Sequence, residues 1–191
     1  MTSPLVSAVV DTPVGPLTIV ATDAGVRAIL WPDDDPSRVR LSPAIEQAEH
    51  PVLEAAAEQL VQYFAGDRRD FDLPLDAVGT DFQLSAWSAL RTIEFGTTVT
   101  YGEQAARMGD RRKARAVGAA NGRNPISIVV PCHRVVGSNG ALTGFAGGID
   151  TKAWLLDHER RVVEAGHDPD VTPGTPGVRP PASRRGATKG V

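Results

Sequence analysis

Cysteine occurs once in the 191 residues, at position 132, so neither an intramolecular disulfide nor a cysteine-rich zinc site can form. No apolar run approaches the roughly 18 to 20 residues that a membrane-crossing helix needs, and no membrane partner is expected. The opening MTSPLVSAVVDTPVG lacks a basic start followed by an apolar core, so no secretory signal is expected and the cytoplasm is the expected location. The N-terminal half has no Cys or His set, and the acidic run Asp33, Asp34 and Asp35 is a group of neighbours without ligand spacing. No metal and no cofactor are expected. What is present, 41% hydrophobic and 23% charged residues, is the composition of a globular protein with enough chain for one large domain or two small ones.

The net charge of -3 is unevenly spread: -8 over residues 1–79, +2 over 80–159 and +3 over 160–191. Five basic residues, Arg107, Arg111, Arg112, Lys113 and Arg115, fall within nine positions. That density suits a phosphate backbone, and equally a solvated helix face.

The first 31 residues hold short apolar runs broken by Thr12-Pro13, Gly15-Pro16 and Asp23-Ala24-Gly25, which predicts a small antiparallel meander. Leu53, Ala56, Leu60, Val61 and Phe64 recur at helical spacing up to Gly66, giving a helix that covers one face of the sheet. Residues 66–79 are polar and non-periodic, and they separate an N-terminal unit (1–79) from a second unit (80–163). The second unit opens with a helix from Asp81 carrying Leu84, Trp87, Leu90 and Ile93, capped by Thr80 or Asp81 and ended by Gly96.

Thr100-Tyr101-Gly102-Glu103 has the form of a capping box, so another helix starts near Tyr101 and stops at Gly109. A third helix from Arg111 or Arg112 to Asn121 completes helix-turn-helix spacing. Its small residues, among them Ala114, Ala116, Gly118 and Ala119, permit close approach of a partner helix or a DNA groove. Ile126–Val130 and Val135–Val136 are expected as short buried strands, followed by a turn at 137–140 and a glycine loop at 144–148. Asp150 is placed to cap a last helix bearing Trp154, Leu155 and His158 and ending near Arg160-Arg161. Residues 164–191 form a tail without periodicity, expected to be disordered.

The chemistry is concentrated in the segment Asn124-Pro-Ile-Ser-Ile-Val-Val-Pro-Cys132-His133-Arg134-Val135-Val136. Cysteine is a nucleophile only as its thiolate, and a neighbouring base or cation lowers its pKa from about 8.5. His133 is a candidate base. Adjacent residues on a strand point to opposite faces, so contact between the two requires a turn or a bridging water. The residues alone leave a second reading open, in which Cys132 is a buried small hydrophobe and His133 a satisfied core residue.

The run PCHRVV, the upstream RAVGAANGRNPI, TYGEQA and DFQLSAWSAL, and the helix with Asp150, Lys152, Trp154-Leu155-Leu156 and His158-Glu159 together resemble the O6-alkylguanine-DNA alkyltransferases, the methylated-DNA-protein-cysteine methyltransferase family. PVGPLTI and YFAG extend the likeness weakly toward the front, so that it spans roughly residues 11–160. The resemblance implies an α/β fold: an N-terminal ribonuclease-H-like sheet-and-helix domain, then a winged-helix-type helix-turn-helix domain carrying the reactive cysteine turn. It implies a suicide repair protein that moves an alkyl group from O6 of guanine, with O4-alkylthymine as a further candidate, to Cys132 after base flipping. His133 would take the thiol proton through a water, Glu159 would orient His133, and Asn124 would hold the turn. Glu159 would otherwise read as an ordinary surface carboxylate. Tyr101 would assist phosphate rotation and protonate the leaving guanine, and Arg115 would fill the vacated stack.

Arg111, Arg112, Lys113, Ala114, Gly118 and Ser138 would contact DNA, and Val135, Phe145, Ala146 and Gly147 would line the base pocket. The recognition helix would lie in the minor groove, where little sequence can be read. Two positions depart from the family pattern: Phe145 stands where tyrosine is common, and Glu94 where proline is frequent. The implied partner is double-stranded DNA containing O6-alkylguanine, bound by a monomer, with clustering of copies on DNA left open. Two rivals are a non-catalytic lesion-binding protein, in which tryptophan would replace the cysteine, and a helix-turn-helix regulator, which gives no reason for PCHRVV.

Overall fold

Alternating burial along Leu5–Val10 and the turn signals after it produce three strands, β1 (Leu5–Val10), β2 (Leu17–Thr22) and β3 (Gly25–Leu30), paired antiparallel in sequence order. The structure, a computed structural model, describes residues 4–39, 41, 45–47 and 49–166. A short β4 (Ile45–Gln47) adds to β1 in parallel, so the sheet order is β3-β2-β1-β4 and the expected plain meander becomes a mixed sheet. The other edge is also covered. On β3, Val26 donates to the carbonyl of Pro74 and Ile29 to that of Pro125, both at 2.8 Å, which draws the linker and the segment before Cys132 onto the sheet.

Helix α1 (Pro51–Ala65) begins with His50 as its cap and Pro51 in the first turn, and ends at Gly66 with φ 85°. Its buried positions are Leu53, Ala56, Leu60 and Tyr63, a strict three-and-four spacing. This corrects the expected face, because Val61 is 56% exposed and Tyr63 takes the inward place. Helix α2 (Asp81–Leu90) starts with a Thr80–Gln83 capping box and stops before the expected Gly96. Its end tightens into i+3 bonds from Arg91, Thr92 and Ile93, and Leu84 faces outward.

The Thr100–Glu103 capping box opens α3 (Tyr101–Arg107), and a 3-10 turn at Arg111–Lys113 leads into α4 (Ala114–Asn121). Buried amides fix this pair. Gln104 and Asn121 exchange two hydrogen bonds, of 2.7 and 3.2 Å, Gln104 also donates to the carbonyl of Ala86, and Trp87 Nε1 donates to that of Ala120. The strand expected over 126–130 is instead a closed loop. Asn124 accepts from the Ile126 amide and donates to the Val130 carbonyl, and Ile128 is held at φ 74°, a left-handed backbone unusual for a β-branched residue.

Strands β5 (Val99–Thr100) and β6 (Val135–Val136) pair in parallel across the reactive segment. Helix α5 (Ile149–Ala165) is capped by Gly148 rather than Asp150, which lies in its first turn, and it runs past the boundary expected at 163. The tail expected to be disordered lies, from residue 167 on, outside the described residues. Among the described residues no helix is long and apolar enough to cross a membrane.

Candidate active site

Pro131 breaks the chain direction, and Cys132, His133 and Arg134 form one 3-10 turn. Three residues per turn spread consecutive side chains in three directions, so Cys132 and His133 do not point to the opposite faces that a strand would have given them. The Cys132 Sγ accepts from Asn124 Nδ2 at 3.2 Å, while His133 and Arg134 both reach Glu159 on α5. Asn124 therefore ties the sulfur and the loop carbonyl of Val130 with one amide group.

Glu159 corrects the reading of its residue type: it is fully buried. Its Oε1 lies 2.7 Å from His133 Nε2 and accepts from Tyr63 Oη at 2.9 Å. Its Oε2 accepts from the Gly96 amide at 2.9 Å, and Arg134 donates to both oxygens. Burial alone would raise its pKa, but His133 and Arg134 more than offset that and leave it at about 2. An ionised carboxylate can only accept, so His133 carries its proton on Nε2 and presents Nδ1 as a lone pair. Nδ1 is the one buried side-chain polar atom among the described residues without a hydrogen-bond partner in the protein. Burial pushes the His133 pKa down against the pull of Glu159, with Arg134 and Lys152 adding repulsion, so the neutral base is the resting form.

Burial likewise pushes the Cys132 thiol up, opposed by the Asn124 hydrogen bond and the charges of Lys152 and Arg38. Lys152 is itself fully buried, donating to the carbonyls of Val135 at 2.6 Å and Thr143 at 2.9 Å. Burial lowers its pKa, with the nearby cysteine acting in the opposite sense.

Beside this buried machinery opens a groove of about 600 Å³ lined by Tyr101, Arg111, Ala114, Arg115, Gly118 and Ser138, with Thr143 and Gly144 closing it. Six residues singled out in the sequence for DNA contact thus share one surface. The Tyr101 hydroxyl donates to the Thr143 carbonyl at 3.1 Å, and its ring lies against Gly118, where an added Cβ would sit 3.6 Å away. Arg112 and Lys113 are exposed outside that lining, and Arg112 is paired with Asp110.

Val135 is buried with its carbonyl turned to Lys152. Phe145 packs edge-on against Trp31, with ring centroids 5.4 Å apart, and lies 6.4 Å from the His133 ring. Ala146 lines a smaller concavity facing Asp34–Arg38, and Gly147 abuts Trp31. The structure therefore does not bring Ala146 and Gly147 into the Tyr101 groove. Glu94 is exposed, its carbonyl accepting from Thr97.

Five participants escape a reading by residue type: Tyr63, Arg134, Lys152, Trp31 and Arg38. Lys152, Leu155 and Glu159 recur at three-and-four spacing on α5, as do Leu60 and Tyr63 on α1, so helical periodicity carried a signal that charge and polarity hid. Arg38 pairs with Asp34 and donates to the carbonyls of Asn124 and Ile29, a contact across 86 residues that no local pattern announces. Among the described residues no group of His, Cys, Asp or Glu could hold a metal.

Two family models match the chain: the ribonuclease-like domain of 6-O-methylguanine DNA methyltransferase over residues 5–77 and its DNA-binding domain over residues 81–161. A methylated-DNA–protein-cysteine methyltransferase of Mycolicibacterium paratuberculosis is 47% identical over 155 residues, covering 80% of this chain and 90% of the relative. The crystal structure of the Mycobacterium tuberculosis O6-methylguanine methyltransferase aligns with a TM-score of 0.72 at 42% identity, covering 82% of this chain and 93% of that one. A structure of the M. tuberculosis protein in complex with DNA aligns with a TM-score of 0.74 at 40% identity, over 83% and 93% of the two chains.

Proposed function

Because the chain belongs to the 6-O-methylguanine DNA methyltransferase family, we propose that it repairs O6-alkylguanine in duplex DNA by moving the alkyl group onto Cys132, once per molecule. Direct alkyl transfer to a protein cysteine is the family's activity, and the observation that carries its assignment to these residues is the free, buried Nδ1 of His133 beside a cysteine held by Asn124. A single water bridging Sγ and Nδ1 would pass the thiol proton to the imidazole. Glu159, already ionised, would stabilise the resulting imidazolium.

The thiolate sulfur attacks the alkyl carbon in line, the S–C bond forms as the C–O6 bond breaks, and the electron pair leaves on the guanine. Tyr101 supplies a proton at N3 of the departing base. The product thioether is inert, and the single cysteine leaves no resolving thiol, so the protein is consumed. A stacked base cannot reach Cys132, and extruding it costs a few kcal/mol. Arg115, in the groove beside Tyr101, takes the place of the extruded base. The backbone of Cys132 and Val135 reads the exocyclic amine, and an amide near Ala146 binds O6. Arg111, Arg112 and Lys113 hold phosphates, with Ala114, Gly118 and Ser138 against the sugar edge. Phe145 in place of tyrosine removes one hydroxyl from the pocket and changes the alkyl groups accepted.

Intact-mass spectrometry after incubation with duplex DNA carrying one O6-methylguanine tests this directly. One shift of about 14 Da, the mass of CH2, located on Cys132 is expected. Several turnovers per chain, or transfer that survives Cys132→Ser, would overturn it. No shift with preferential binding to lesion DNA would instead favour a protein that marks damage without reversing it.

A further inference from the structure

Tyr63 belongs to the N-terminal unit, yet its hydroxyl enters the catalytic centre of the other unit. It is fully buried on α1 and donates to Glu159 Oε1 at 2.9 Å, the same oxygen that lies 2.7 Å from His133 Nε2. A carboxylate oxygen shared by two donors binds each less strongly than it would bind one alone, so the phenol and the imidazole compete for its charge. We propose that Tyr63 is a positioning residue that tunes the basicity of His133 through Glu159, so that the N-terminal unit sets the pH at which the cysteine is activated. This rests on the reading of His133 as the base for Cys132.

The surroundings support a tuning role. Burial and the negative charge of Glu159 hold the Tyr63 phenol well above its ordinary range, so it donates at every working pH. Removing that donor leaves more of the Oε1 charge for His133, stabilises the imidazolium and raises the imidazole pKa. Glu159 itself stays ionised, because Arg134 still donates to both of its oxygens. The other charged or titratable groups facing this centre are Cys132 and Arg134 on the reactive turn, Lys152 and His158 on α5, and Arg38 and Arg69 from the N-terminal unit. None of them shares Oε1 except Arg134. His158 instead engages the Tyr63 carbonyl, with Nε2 2.8 Å away, and so fixes the backbone of α1 rather than the phenol.

The experiment compares the full-length protein with Tyr63→Phe and with 3-fluorotyrosine placed at position 63 alone, whose more acidic phenol is the stronger donor. The pH dependence of Cys132 carbamidomethylation by iodoacetamide and of single-turnover transfer from an O6-methylguanine duplex is recorded for each. The acid limb of both profiles should move up by about half to one pH unit in the phenylalanine variant and down in the fluorinated one. A purely structural role would lower thermal stability and scale the rates without moving the limb. An unmoved limb, or movement in the same direction in both variants, would overturn the proposal. If the iodoacetamide profile moves as expected while no form accepts a methyl group from DNA, the tuning stands and the repair reading falls.

Discussion

Gly147 lies flat against the indole of Trp31, so close that a Cβ at position 147 would stand 2.8 to 2.9 Å from three ring carbons. The backbone at Gly147 is not left-handed, which makes the requirement one of contact rather than of dihedral angle. Trp31 also meets Phe145 edge-on and donates to Ser127 at 3.4 Å, so one side chain of the N-terminal unit supports both the glycine loop at 144–148 and the loop that precedes Cys132.

Substituting Gly147→Ala should therefore push the glycine loop at 144–148 away from Trp31. Overpacking of this kind costs about 1 to 3 kcal/mol, and both the melting temperature and the transfer rate should fall. Adding Trp31→Leu removes the clashing carbons, and the double variant should recover part of the loss. A double-mutant cycle on melting temperature that proves strictly additive would show that the contact does not determine the effect.

Glu159 makes the fold acid-sensitive. Its folded pKa of about 2 lies below the ordinary 4.5, so the stability it contributes is fully present above pH 4.5 and is lost as pH falls through about 2. His133 acts in the same direction: buried and neutral, it binds a proton less readily folded than unfolded, so stability also declines as pH drops below its ordinary 6.5. Glu159→Gln should cost about 3 to 5 kcal/mol near neutrality, because Arg134 is left buried without its partner. It should also flatten the melting-temperature profile between pH 4.5 and 2, which calorimetry across that range would measure.

Much of this architecture is legible in the sequence because it is locally encoded. The capping box at Thr100–Glu103, the left-handed stop at Gly66 and the turn-bounded strands of the first 31 residues are signalled by residues within a few positions of one another. The reactive segment is legible as well, since Asn124, Cys132 and His133 lie within ten positions. What is hidden is whatever depends on pairing between distant segments. Glu159 reads as a surface acid until α5 turns it inward, and Tyr63 carries no signal by its residue type until its hydroxyl meets Glu159. The left-handed Ile128 is the sharpest case, because β-branched residues favour strands. Here the amide of Asn124, bonded to both sides of the loop, overrides that preference.

Lys152 lies near the thiol and satisfies two carbonyls, so Lys152→Met should have two separable effects. Losing the cation removes a charge that opposes the upward push of burial on the Cys132 thiol, and the pH profile for iodoacetamide should move upward. Leaving the Val135 and Thr143 carbonyls unpaired should cost about 1 to 3 kcal/mol of stability. If the profile does not move while stability falls, the lysine serves the fold alone.

Arg115 and Lys113 are neighbours in sequence but differ in placement, since Arg115 lines the Tyr101 groove and Lys113 lies outside that lining. If Arg115 fills the gap left by an extruded base, its loss is felt only where there is a stack to fill. Arg115→Ala should slow transfer from duplex DNA by about 10- to 100-fold, or about 1.4 to 2.8 kcal/mol, and slow transfer from a single strand far less. Lys113→Ala should weaken duplex binding with or without the lesion and reduce the slope of log affinity against log salt by about one. Equal losses on single and double strands for Arg115→Ala would reduce that residue to one more phosphate contact. The comparison of rates on the two substrates at a fixed salt concentration decides between the roles, because a phosphate contact is available on both while a vacated stack exists only in the duplex.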